Sequence, residues 1–269
     1  VAGAGNPSAE SDLFYREIHR SLDFWNASYF CGSAAVLRRT HLMQVGGLCG
    51  RTITEDAETA LKLHSAGYNS TYMDMPMVCG LAPDDYDSYI LQHTRWAQGM
   101  TQLLVTQNPL TTPGLSLQQR LCYFNSCFFW SFGFARIMFY IAPALFLLFG
   151  LKIYHVSLGQ ILAIALPYVL STFFIMDYFY GRTRQPLFSE IYESIQAVFL
   201  LPAVISVLLN PSRPSFKVTP KGQTQEKESL NARATIFLVI IIACLLSLVA
   251  AILRWIDFPA QRDTILVTG

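Results

Sequence analysis

Charge is the scarcest commodity in this 269-residue chain: Asp, Glu, Lys and Arg together make up 14%, against roughly a quarter in soluble domains. The balance is close to neutral, at +1, so nothing in it points to nucleic acid as a partner. Six cysteines (Cys31, Cys49, Cys79, Cys122, Cys127, Cys244) include no CxxC pair and no accompanying His cluster. That excludes a zinc site or a disulfide framework by spacing and leaves reduced, mostly buried thiols. The opening residues Val1-Ala2-Gly3-Ala4-Gly5-Asn6 carry no Met and no basic n-region, so no signal peptide is read there; the chain reads as a piece that starts in mid-domain. What is abundant is apolar surface, at 52% of residues. It is unevenly placed. Residues 1–120 hold most of the acids and polar turns, and long apolar runs dominate from Cys122 onward.

A helix that crosses a bilayer needs about 20 mostly apolar residues. Three stretches meet that requirement, at about 127–151, 158–180 and 234–256. A fourth, about 188–209, carries Glu190, Glu193 and Gln196 at helical spacing and is interrupted by Pro202. It reads as an amphipathic helix lying in the interface. Basic residues concentrate in 181–233, where Arg182, Arg184, Arg213, Lys217, Lys221, Lys227 and Arg233 stand against Lys152 alone in the loop at 152–157. By the positive-inside rule 181–233 is cytoplasmic, which places residues 1–120 in the cytoplasm and 257–263 outside. Arg136 and Asp177 are ionisable groups in or beside apolar spans; each either faces a polar partner or snorkels to the headgroups.

The polar lobe at 1–120 alternates short extended signals with helical ones, which predicts an α/β fold. Residues 22–39 read as an aromatic-rich extended run, a Cys-Gly-Ser turn and then an apolar strand or helix start. Residues 70–74 read as a short strand, and a helical pattern returns from Tyr86 to Leu104. Between them, Thr52-Ile53-Thr54-Glu55-Asp56-Ala57-Glu58 crowds three acids into a first helical turn. Thr52 with Glu55 fits a capping box, and Thr54 is an alternative N-cap. Acids there also meet the unsatisfied N–H groups of the turn favourably. Taken alone the segment is helix punctuation.

A second cluster, Gln92-x-x-Arg95-Trp96, sets Gln and Arg one turn apart on a helix face. A guanidinium suits a phosphate bidentately, and an indole face suits the C–H face of a sugar ring. By itself the pattern equally fits an amphipathic helix with a packed Trp.

The order is more specific than either cluster. Phe30-Cys31-Gly32-Ser33, then Thr54-Glu55-Asp56, then Gln92-x-x-Arg95-Trp96, then membrane spans resembles the processive family 2 glycosyltransferases. Phe216-Lys217-Val218-Thr219-Pro220-Lys221-Gly222 is similar to the FxVTxKG gating loop of bacterial cellulose synthase catalytic subunits, within a loop at about 211–231. The resemblance extends over essentially the whole chain. It implies the C-terminal part of a GT-A-type glycosyltransferase domain over 1–120, followed by a transmembrane channel region with interfacial helices over 121–269, in a bacterial inner membrane.

The resemblance also assigns roles. Asp56 becomes the general base, with Glu55 and Thr54 shaping the site. Trp96 stacks on the terminal sugar of the acceptor, and Phe30, Cys31, Gly32 and Ser33 line the acceptor side. Gln92 and Arg95 contact the donor pyrophosphate. Phe216, Val218, Thr219 and Lys221 fold over UDP-glucose. The implied reaction is inverting, processive transfer of glucose to a β-1,4-glucan, with the polymer leaving through the helices. Implied partners are UDP-glucose, the growing glucan, membrane lipid and a periplasmic membrane-anchored subunit. Mg²⁺ is the implied cofactor and cyclic-di-GMP the implied activator. Residues 1–53 supply neither the family's uridine-binding Asp nor its metal-binding DxD pair, and Asp84-Asp85-Tyr86-Asp87 lies after the TED sequence and reads as a solvated loop. The ligands for both Mg²⁺ and cyclic-di-GMP are therefore expected outside this stretch, which alone neither binds donor nor turns over. Alternatives are another β-linked polysaccharide (chitin, hyaluronan, another β-glucan) or a non-catalytic membrane scaffold.

Overall fold

A computed structural model describes residues 12–32, 34–75, 77–78, 83, 85–151, 158–181, 186–212, 232–262 and 265. A π-helical segment, Leu13–Ile18, leads into α1 (His19–Phe24). Then follow α2 (Arg39–Gln44), α3 (Glu55–Ser65), α4 (Tyr86–Thr106) and α5 (Leu117–Phe128). A 3₁₀ turn at Phe129–Ser131 precedes α6 (Phe132–Phe149), α7 (Leu158–Tyr180), α8 (Pro186–Leu209) and α9 (Ala232–Asp257). The chain divides into two compact units, one of residues 1–133 with 180–223, the other of 134–179 with 224–269.

In the first unit α4 is the central element. Every residue from Ala97 to Leu103 is buried, although three of the seven are polar. Its apolar side meets α3 and α5 in a core of Leu22, Ala27, Ala57, Leu61, Met100, Leu103, Leu115, Tyr123 and Cys127. Burying one such Leu is worth about 1.5–3 kcal/mol. Its other side takes α8, where Ala97 packs with Leu200 and Val204. The Gln196 amide also donates to the Tyr89 hydroxyl at 2.6 Å. The buried residues of α8 (Gln196, Ala197, Leu200, Ala203, Val204, Val207) fall on one face, and Ile191, Tyr192, Leu208 and Leu209 stay exposed. A helix so divided has one stripe for the protein and another for something apolar.

Local sequence explains where these helices start and stop. Ser116-x-x-Gln119 forms a complete capping box: Ser116 Oγ accepts from the Gln119 N–H at 3.2 Å, and Gln119 Oε1 accepts from the Ser116 N–H at 2.9 Å. Asp85 caps α4 by accepting from the Ser88 N–H at 2.7 Å. The acids at 85–87, expected in a solvated loop, thus open a helix instead. Gly67, with φ +86, turns the chain away after α3.

The α/β expectation is not met among the described residues, which contain no strand beyond an isolated bridge position at Cys31. Residues 70–74 pair with no neighbouring strand, and two of their N–H groups go to side chains. The Ser70 N–H donates to Asn26 Oδ1 at 2.9 Å, and the Tyr72 N–H to Asp23 Oδ1 at 2.6 Å. Within 22–39, the first residues end α1 rather than extend. An extended run becomes a strand only with a neighbouring backbone.

In the second unit α6 and α9 meet through Phe146, Leu147, Ala251 and Trp255. Arg254 Nε donates to the Leu147 carbonyl at 2.6 Å, and its guanidinium lies 6.0 Å from the Phe146 ring. The cation therefore answers the unsatisfied C-terminal carbonyls of α6. Among the described residues, four helical stretches are long and apolar enough to cross a membrane by length and composition: Leu117–Phe149, Leu162–Tyr180, Ser189–Leu209 and Thr235–Asp257. Three were expected as spans. The fourth lies in α8, expected to lie in the interface.

Candidate active site

The TED sequence sits where α3 begins, and side chains hold the loop before it. Glu58 is fully buried and accepts from the Arg51 N–H (3.1 Å), the Thr52 N–H (3.0 Å) and Thr52 Oγ1 (3.2 Å). Gln107 Nε2 donates to its other oxygen. A buried carboxylate is tolerable only when so fully satisfied. The expected capping box of Thr52 with Glu55 does not form, because Glu58 takes the reciprocal position and Glu55 is exposed. Thr54 is the N-cap by position, yet its hydroxyl makes no cap bond and is buried without a partner.

Thr54 instead meets α4. A Cβ added at Gly99 would lie 2.5 Å from Thr54 Cγ2 and 2.7 Å from Thr54 N, so only glycine allows the two backbones this approach. Gly99 stands one turn after Trp96 on the same helix face. Trp96 is 42% exposed, with its ring edge-on to His93 at 4.9 Å. Gln92 and Arg95 are half-buried on the preceding turn. The TED sequence thus meets the helix that carries QxxRW, one turn beyond Trp96.

Cys31 and Gly32 also come close to the TED sequence. Gly32 has φ +71, and a Cβ there would lie 3.8 Å from Asp56 Oδ2. Ala34, at φ +51, is one of two described non-glycine residues with positive φ, a conformation costing roughly 1–2 kcal/mol and met most often at functional turns. Phe30 and Cys31 are half-buried. Ser33 lies outside the described residues, as do the gating-loop positions Phe216, Val218, Thr219 and Lys221.

Burial raises the Asp56 carboxyl above its ordinary range. The N–H of Ala57, donating to Asp56 Oδ1 at 2.8 Å, offsets part of this, and Glu55 beside it adds to it. Burial, with the Asp56 charge nearby, pushes the Cys31 thiol up to about 12, so Cys31 is a neutral thiol. Its Sγ lies 3.4 Å from His19 Nε2, and His19 Nδ1 lies 2.9 Å from Ser28 Oγ. His19, Gly99 and the reach of Glu58 back to the loop are features that no motif marks. The histidine and glycine carried no local signal, whereas Glu58 was visible as the third acid of the cluster.

Burial also lowers His19 and His64 from 6.5 to about 4. Both are neutral in the fold at pH 7. Between about 4 and 6.5 the unfolded chain binds protons that the folded chain refuses, so stability falls as pH drops through that window. Thermal unfolding of the full-length protein at pH 7.5 and 5 should show a lower midpoint at pH 5. Substituting Gln at both positions should shrink the difference.

Residues 10–176 match the profile of glycosyl transferase family group 2, and the chain belongs to that family. It is 41% identical over 219 residues to the cellulose synthase catalytic subunit [UDP-forming] of Pseudomonas fluorescens, a match covering 81% of this chain and 30% of that protein. It is 36% identical over 258 residues to cellulose synthase 1 catalytic subunit [UDP-forming] of Komagataeibacter xylinus, covering 94% and 35%. With cellulose synthase 2 of Novacetimonas hansenii it shares 37% over 248 residues, 92% and 16%. The chain thus spans about a third or less of the length of these relatives.

Proposed function

We propose that this chain is part of the catalytic subunit of a UDP-forming cellulose synthase. It would transfer glucose from UDP-glucose to the non-reducing end of a β-1,4-glucan. The observation that carries the reading is the contact of Thr54 with Gly99. It sets a carboxylate of raised proton affinity beside the helix that presents an exposed indole. Asp56 takes the proton of the acceptor hydroxyl as that oxygen bonds to C1 of glucose and the C1–O bond to UDP breaks, inverting the anomeric centre. A carboxylate whose proton affinity is raised is the better base for this step. Trp96 offers a face for the acceptor sugar. Gln92 and Arg95 hold the diphosphate, and the segment around Phe216–Lys221 excludes water.

Helices α6, α7 and α9 would span the inner membrane and α8 lie along its inner surface, leaving residues 1–120 and 181–233 in the cytoplasm. The extended runs near 27–31 and 70–74 would join a sheet completed by other parts of a GT-A domain. Mg²⁺ does not fit the described acids, among which no group of three metal-ligating side chains occurs. Glu58 is saturated by its own loop and by Gln107. Cyclic-di-GMP and a membrane-anchored periplasmic subunit belong to the same proposal.

The test is synthesis by membranes holding the full-length protein and supplied with UDP-glucose and UDP-N-acetylglucosamine together. An insoluble product released by a β-1,4-specific endoglucanase is expected. Incorporation of N-acetylglucosamine in place of glucose, or no polymer at all, would overturn the reading.

A further inference from the structure

The geometry points to Gln102 as a positioning residue for the catalytic carboxylate. Gln102 is buried in α4, three residues after Gly99, and belongs to none of the ordered motifs. Its amide is fully used. Oε1 accepts from the Ile53 N–H at 3.0 Å, and Nε2 donates to the carbonyls of Arg51 at 3.2 Å and Pro211 at 2.7 Å. The first two bonds straddle Thr52, so the side chain pairs with the loop much as a neighbouring strand would. The third ties the same amide to the residues just after α8.

With Glu58 taking the N–H groups of Arg51 and Thr52, all three loop N–H groups before Thr54 are held by side chains rather than backbone. The Thr54 carbonyl then accepts the first bond of α3, from the Glu58 N–H at 3.1 Å. The loop therefore fixes where α3 begins and how Asp56 is aimed. An error of about 1 Å at a reacting group costs on the order of 100-fold in rate. No other residue type makes these three bonds. Met has the shape without the polar atoms, and Glu would face two carbonyls with a second acceptor. Neither can hold the loop by hydrogen bonds.

This inference rests on the glucosyltransferase reading, and its test separates the two. Full-length protein in membranes is compared with Gln102→Met and Gln102→Glu, with rates normalised to the number of UDP-binding sites. Both variants should lose about 10- to 100-fold in kcat, with KM for UDP-glucose and Ki for UDP within about twofold of wild type. Hydrogen exchange should quicken in the peptide covering 51–58 and stay unchanged across α5. Unchanged kcat and exchange would overturn the role of Gln102. So would a loss of UDP sites and faster exchange everywhere, which mark a purely structural residue. An inactive wild-type protein would instead sink the functional reading, and the exchange result would still decide whether Gln102 holds the loop.

Discussion

Asp56→Asn in the full-length protein should abolish glucan synthesis while leaving UDP binding intact. A positioned general base typically contributes a factor of about 10²–10⁴, and Asn keeps the shape of the side chain without its capacity to take a proton. The same substitution should not destabilise the fold. Because burial raises the Asp56 carboxyl, the folded chain holds that proton more tightly than the unfolded chain. Stability is therefore lost as pH rises from the ordinary carboxylate range through the raised value. The neutral Asn escapes that loss. Its unfolding midpoint at neutral pH should equal or exceed that of wild type, and the margin should vanish in acid. A variant that still makes polymer at a wild-type rate would remove Asp56 from the chemistry.

Gly99→Ala should be nearly as damaging, although a single methyl is all that changes. The new carbon would sit 2.5 Å from Thr54 Cγ2 and 2.7 Å from the Thr54 nitrogen, closer than atoms tolerate. Either α4 or the start of α3 must move. Overpacking of this kind costs about 1–3 kcal/mol, and movement at Thr54 carries Asp56 with it. Transfer should fall at least about tenfold and the unfolding midpoint should drop. Thr54→Ser, which deletes the nearest of the three clashing atoms, should restore part of both in the double variant. Wild-type rate and stability in Gly99→Ala would show that the close approach is unimportant.

Local patterns made the helices legible. The apolar runs gave α6, α7 and α9 by length alone, and the acids of the TED sequence marked the start of α3 within a residue. The Ser116-x-x-Gln119 signature was also there to be read and caps α5. What the sequence could not disclose lies between segments. Extended signals within 22–39 and at 70–74 suggested strands, but a strand depends on a partner, and Asn26 and Asp23 take two N–H groups of the second run instead. Asp85 looked solvated because its role depends on the Ser88 N–H three residues on. The ordered motifs pointed to Asp56, Trp96, Cys31 and Gly32 as candidate site residues. They could not identify Gln102 or the reach of Glu58 back to Arg51 and Thr52, since a lone buried Gln or Glu has no spacing to betray it. Gly99 is the clearest case. Its meaning is the atom opposite, 45 positions away in the chain.

The central claim is that one carboxylate and one indole, on different helices, serve the same sugar. The most direct test is a structure of the full-length protein with UDP and a nascent glucan bound. Asp56 should then lie within about 3 Å of the terminal acceptor hydroxyl, with the Trp96 ring stacked on that same sugar. A glucan terminus that touches Trp96 while Asp56 points elsewhere would contradict the account.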